Sequence, residues 1–236
     1  RSFTEPVVYE SIRDNLTNAL AASESYYFYV LNMTYSACQW CNQQDGAGDL
    51  SFPDLLAPLT VLPPAALVLE PRYRGAATAL DYERCTDSGI PQWAGLRMCG
   101  DLVETYERQV DWKFDWFVRL RPDVRFHHPL ANIRSYDPSR IHVAHRPWSD
   151  VNDGFALVPR AHMWDYLGVF GGQDGNYRCY SHADYKRQHC MNYETSCQLR
   201  DHLAAKGLRL GNLPIFQEKV WVRGTSAALQ RTGRIR

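Results

Sequence analysis

The run Phe114-Asp115-Trp116-Phe117-Val118-Arg119-Leu120-Arg121-Pro122-Asp123 constrains the fold more than any other stretch of the chain. Aromatic and β-branched residues read as a strand. Pro122 stops it, because proline offers no N–H to a ladder and biases Arg121 toward extended geometry. Side chains alternate along a strand, so Phe114, Trp116, Val118 and Leu120 share one face, and Asp115, Phe117, Arg119 and Arg121 share the other. In an open α/β sheet, ligands sit at the carboxyl ends of strands. A carboxylate able to hold a divalent cation, beside guanidinium groups able to grip phosphate, suits a nucleotide-diphosphate ligand there. The structural alternative is a surface pair of Asp123 with Arg121 or Arg125.

The rest of the chain supplies the frame. Thr4 to Ala22 carries apolar residues at helical spacing. Tyr26 to Leu31 and Ala66 to Leu69 read as buried strands, with a short helix in 53–64 closed by Pro63-Pro64. Residues 33–52 read as loop. Gln92 to Gln109 is the clearest helix, with Trp93, Leu96, Cys99 and Tyr106 recurring every three to four residues. Ile141 to Ala144, Phe155 to Val158 and Lys219 to Val222 read as strands, and Ala161 to Leu167 and Asn192 to Ala205 as helices. Residues 171–191 read as irregular. Alternating strands and helices predict an α/β fold with a mainly parallel sheet.

The length of 236 residues fits one domain. Lysine plus arginine and aspartate plus glutamate both number 26, so no net charge points to nucleic acid. No apolar run reaches the roughly 18–20 residues that cross a bilayer. Seven cysteines, an odd number, leave at least one thiol unpaired within the chain. Disulfides, and with them a secretory compartment, are one reading; reduced thiols in the cytoplasm are the other. The sequons at Asn15 and Asn32 add little, since Asn15 falls within a helix.

Two further carboxylates are candidates for chemistry. Asp153, in Asn152-Asp153-Gly154 ahead of the strand Phe155 to Val158, suits accepting a proton from a substrate hydroxyl, or an Asx turn. Glu194, in the first turn of the helix from Asn192, suits a catalytic base, or a carboxylate placed there by the helix dipole. Cys179, His182, His189 and Cys190 match no compact zinc spacing, and a disulfide among Cys179, Cys190 and Cys197 is the better reading. Cys38-Gln39-Trp40-Cys41 reads as a local disulfide or two structural thiols.

Taken together these blocks resemble glycosyltransferase-like domains of the GT-A type. The resemblance is carried by Arg1-Ser2-Phe3, by Gln92, Cys99 and Tyr106-Glu107, by Phe114-Asp115-Trp116 to Arg121-Pro122-Asp123, by Asn152 to Arg160, and by Glu194 to Leu203. It covers most of the chain. It implies a GT-A, Rossmann-like three-layer sandwich in one domain over 1–236, whose family first strand would precede Arg1. It further implies a nucleotide-sugar donor, a glycan or glycoconjugate acceptor, and Mn²⁺ or Mg²⁺ held by Asp123. The chain departs from the family's Asp-x-Asp by carrying Arg121-Pro122-Asp123, so Arg119 or Arg121 would supply part of the positive charge.

On this reading Arg1, Arg119, Arg121 and Asp123 bind the donor, and Asp153 or Glu194 acts as base. Trp148, Trp164 and Tyr177 are candidates to stack on sugar. The expected setting is the Golgi or ER lumen, with a membrane anchor outside the given chain; a cytoplasmic setting is the alternative. A competing function is a non-catalytic carbohydrate-binding domain on a degenerate transferase fold, which the missing second acid favours. A glycoside hydrolase would need two opposed acids about 5–10 Å apart and would leave the arginines without a purpose.

Overall fold

The computed structural model describes residues 2–32, 51–70, 90–145, 151–169, 195–214 and 217–219. The chain opens with a helix, α1 (Pro6–Ser11), that widens into a π-helical stretch over Ile12–Thr17 and closes with an α turn at Asn18–Leu20. Pro6 sits at its start, where the missing N–H costs nothing. Asn15 donates its side-chain amide to the Phe126 carbonyl at 2.9 Å, so this sequon asparagine is a structural tie. Strand β1 (Tyr27–Asn32) follows, then α2 (Phe52–Val61) and β2 (Pro64–Glu70). At the head of α2, Asp54 accepts from the backbone N–H of Ser51 at 2.8 Å and from its hydroxyl at 2.6 Å. β1 and β2 pair in parallel.

Helix α3 (Ile90–Val110) turns Trp93, Leu96, Gly100, Val103 and Glu107 inward, a stripe at three-to-four spacing. It leads into β3 (Trp116–Leu120) and β4 (Val124–Phe126). Next come β5 (Ile141–Ala144), β6 (Phe155–Pro159), α4 (Met163–Leu167), α5 (Thr195–Ala205), β7 (Leu210–Leu213) and β8 (Gln217–Lys219). Gly100 lets α4 approach α3 closely. A Cβ there would come within 2.5 Å of Leu167 and 2.9 Å of the Trp164 ring.

The main sheet runs β3-β6-β5-β7, and β4 pairs with β8. Within it β5 and β7 are parallel, whereas β3–β6 and β5–β6 are antiparallel, as is β4–β8. The fold is therefore mixed α/β with small parallel and mixed sheets, not the mainly parallel sheet expected from alternation. The physical reason lies between β5 and β6. Only residues 145–154 connect them, and a parallel pairing needs a crossover of a dozen or more residues. The expected elements otherwise appear with ends shifted by a few residues. The loop 33–50, the irregular stretch 171–191, the helix start at Asn192 and the strand beyond Lys219 lie outside the described residues.

Alternation on β3 follows the expected faces. Phe117 packs with Ile141, Val143, Ala156 and Val158 against α3, α4 and α5. Trp116, Val118 and Leu120 pack with Phe155 and Leu157 against α1 and β4. Helices thus cover both faces of this sheet, and Arg119 shares the buried face of Phe117. No described helix is long and apolar enough to cross a membrane.

Candidate functional site

The site forms where β3 ends beside the start of β6. The Arg121 N–H donates to the Gly154 carbonyl at 2.9 Å, carrying the ladder one step past β3. That bond brings the turn Asn152-Asp153-Gly154 against Arg121-Pro122-Asp123, so two segments 30 residues apart in sequence meet at one point. The turn is closed by Asn152, whose Oδ1 accepts from the Gly154 N–H at 2.7 Å. A Cβ on Gly154 would meet that same Oδ1 at 2.9 Å.

Arg121 is the hub. Its Nε and Nη2 donate to the two oxygens of Asp123 at 2.9 and 2.8 Å, a forked pair. Its Nη1 stands 3.8 Å from Asp153 Oδ2 and donates to Gln92 Oε1 at 3.4 Å. Burial alone would pull the Arg121 guanidinium down. The bonds and charge of Asp123, helped by Asp153, outweigh that and hold it above its ordinary range. Asp153 is 1% exposed, and its Oδ2 accepts from Gln92 Nε2 at 2.8 Å. Helix α3 therefore supplies the amide that orients this carboxylate.

Arg119 lies one strand step behind, 4% exposed, with its Nε meeting no hydrogen-bond partner. Burial pulls its guanidinium below the usual arginine range, and the nearby positive charge of Arg121 adds to the fall; Tyr166 and Asp153 oppose it. Tyr166, on α4, is wholly buried, and its hydroxyl is likewise without a partner. A third buried atom without a partner is Gln217 Oε1, on β8. The amide nitrogen of that side chain would lie 3.8 Å from a Cβ on Gly154.

Of the candidate residues, the structure brings Arg119, Arg121, Asp123 and Asp153 together. Arg1, Glu194, Trp148 and Tyr177 lie outside the described residues, as do Cys38, Cys41, Cys179, His182, His189 and Cys190. Trp164 is half-buried against α3. Its indole N–H donates to Glu104, and its ring packs over Gly100. Gln92, Tyr166 and Gln217 are residues that sequence reasoning did not place at the site. Gln92 had one signal, a polar side chain in the opening turn of an otherwise apolar helical face. Tyr166 had only its phenol within an apolar turn. Gln217 had none.

The donor set at Asp123 bears on Mn²⁺ or Mg²⁺ there. Both carboxylate oxygens already accept from the guanidinium of Arg121. A dication at that carboxylate would have to expel Arg121 or sit against its positive charge. As arranged, Asp123 is committed to Arg121 rather than to a cation. Among the described residues Cys197 is disulfide-bonded and Cys99 is a free thiol. No protein-family model, no curated protein and no solved structure matches the chain.

Proposed function

We propose that the protein is a glycosyltransferase that moves a sugar from a nucleotide-sugar donor to a hydroxyl on a glycan or glycoconjugate. One observation carries this reading: two arginines and a buried, amide-oriented carboxylate converge where β3 meets β6. Guanidinium groups are planar forks that match phosphate oxygens, so Arg119 and Arg121 stabilise charge developing on the departing diphosphate. Asp153 takes the proton of the acceptor hydroxyl. In the step, the acceptor oxygen bonds to the anomeric carbon while the bond from that carbon to the diphosphate oxygen breaks. Its electron pair leaves with the diphosphate, and the acceptor proton ends on Asp153. Gln92 holds the carboxylate in place through the transfer.

The Mn²⁺ or Mg²⁺ that the family resemblance implies would compete with Arg121 for Asp123. The disulfide at Cys197 supports an oxidising, secretory setting. The second reading, a carbohydrate-binding domain without turnover, is favoured by the closed Arg121–Asp123 pair.

The test is donor hydrolysis and transfer across UDP-, GDP- and CMP-sugars, with and without manganese, for the wild type and Asp153→Asn. Turnover that falls about 100-fold or more in the variant is the expected result. Wild-type protein that binds a nucleotide sugar or a free glycan but turns nothing over points to the binding domain. Neither binding nor turnover with any donor overturns the reading.

A further inference from the structure

On the face of β3 that packs against α3 and α4, two buried polar groups have no protein partner: Arg119 Nε and the Tyr166 hydroxyl. They are electrostatic neighbours, and the charge of Asp153 reaches both. Burial is the largest influence on each. It disfavours the cation at Arg119 and keeps the Tyr166 phenol protonated, well above its ordinary range. The other neighbour is Cys99. Burial pushes its thiol up to about 11 even though Arg119 pulls the other way, so it brings no negative charge near neutral pH. Among the described residues Asp153 is the carboxylate acting on Arg119, and its Oδ2 is already engaged by Gln92 and faces Arg121.

Fully buried arginines in folded proteins are normally paired, because an uncompensated charge in the interior is strongly destabilising. Here an N–H donor and an O–H donor sit as neighbours with nothing to donate to. Two unused donors, one of them cationic, select an oxyanion. We propose that Arg119 and Tyr166 form a buried phosphoryl-binding pair that does not use the Arg121–Asp123 couple. Its occupant is one phosphoryl group, gripped by the guanidinium and the phenol. If the transferase reading holds, that group belongs to the donor's diphosphate; the binding itself does not depend on that reading.

The experiment uses the full chain and simple anions: inorganic phosphate, pyrophosphate and, as a carboxylate control, malonate. All are added at matched ionic strength in the presence of a chelator, with Tm as the readout. Pyrophosphate or phosphate raises the Tm of the wild type. Tyr166→Phe, which removes one oxygen and little volume, weakens the affinity about 10-fold, the effect of a lost hydrogen bond to a charged ligand. Arg119→Met abolishes the shift while the protein stays folded by circular dichroism. No shift of the wild type with either phosphate overturns the proposal. So does a shift that both variants retain in full, or stabilisation by malonate alone. Phosphate binding of the expected kind without nucleotide-sugar turnover leaves the pair standing and removes the transferase. Turnover that both variants keep at the wild-type level removes the pair, and with it the part of Arg119 in the transfer, but leaves the transferase standing.

Discussion

At one end of the β3–β6 pair, Arg160 is gripped on every side; at the other, Arg119 is buried with its Nε unused. Arg160 donates its Nε and Nη2 to Glu107 at 2.7 and 2.6 Å and reaches Glu104 at 3.4 Å. Glu107 also accepts from the Phe114 N–H at 3.1 Å, and the Arg160 N–H donates to the Asp115 carbonyl at 2.9 Å. This cluster locks the end of α3 to the start of β3 and the end of β6. The other cluster has the same ingredients, arginines and carboxylates at the ends of the same strand pair and on the elements beside it, yet it leaves Arg119 Nε, Tyr166 OH and Gln217 Oε1 without partners. Closed charge networks hold folds together. A buried network with unused donors costs stability, and that cost is intelligible where a ligand completes it.

The largest test of this contrast is truncation of the closed cluster. Glu107→Ala leaves the half-buried Arg160 with Glu104 as its remaining carboxylate among the described residues and the Phe114 N–H without its acceptor, and should cost about 3 kcal/mol in urea unfolding. Arg119→Met should do the opposite. Removing a buried charge whose Nε makes no bond should leave stability unchanged or raise it by about 1–3 kcal/mol. If the two variants are destabilised alike, the contrast between a closed end and an open end is broken. Tyr166→Phe is the gentler version, with a gain of at most about 1 kcal/mol expected from removing an unpaired hydroxyl from the core. A loss larger than that would mean the phenol has a partner in solution.

Much of this arrangement was legible in the sequence where the signals are local. Alternation from Trp116 to Leu120 correctly divided the two faces of β3, and Pro122 correctly marked where the strand stops; Phe114, expected on the Trp116 face, precedes the strand and packs instead with the Phe117 cluster. The position of Asp153 ahead of the strand Phe155 to Val158 was legible for the same reason. What was not legible is non-local. Strand direction in the main sheet depends on the length of the 145–154 connection and on which strands meet, and neither is written in periodicity. Gln92 reaches Asp153 only because α3 docks at one angle across the sheet. The place of Arg119 on the buried face could be read, but the lack of an acceptor for its Nε could not. That depends on every neighbour at once.

The smallest expected effect is in acid, and it separates the two ends by sign and window. Burial pushes Glu107 up, but the hydrogen bonds and charge of Arg160, the Phe114 N–H and the charge of Lys113 outweigh it, and its carboxyl rests below the usual range. A folded-state carboxylate that is depressed contributes stability present above its unfolded value of about 4.3, and that contribution is lost as pH falls through the folded value. The wild type should therefore lose Tm steadily below about pH 4.3, and Glu107→Gln, which does not titrate, should show a shallower slope from a lower starting point. Arg119 brings no such slope, because its guanidinium stays charged across this range. Arg119→Met and wild type should run nearly parallel from pH 6 down to about pH 3, because the charge of Asp153 reaches Arg119 without closing a pair on its Nε. Lines that converge in acid as steeply as those of Glu107→Gln and wild type would mean that Arg119 is balanced as closely by a carboxylate as Arg160 is, and the open end would then be a second closed one.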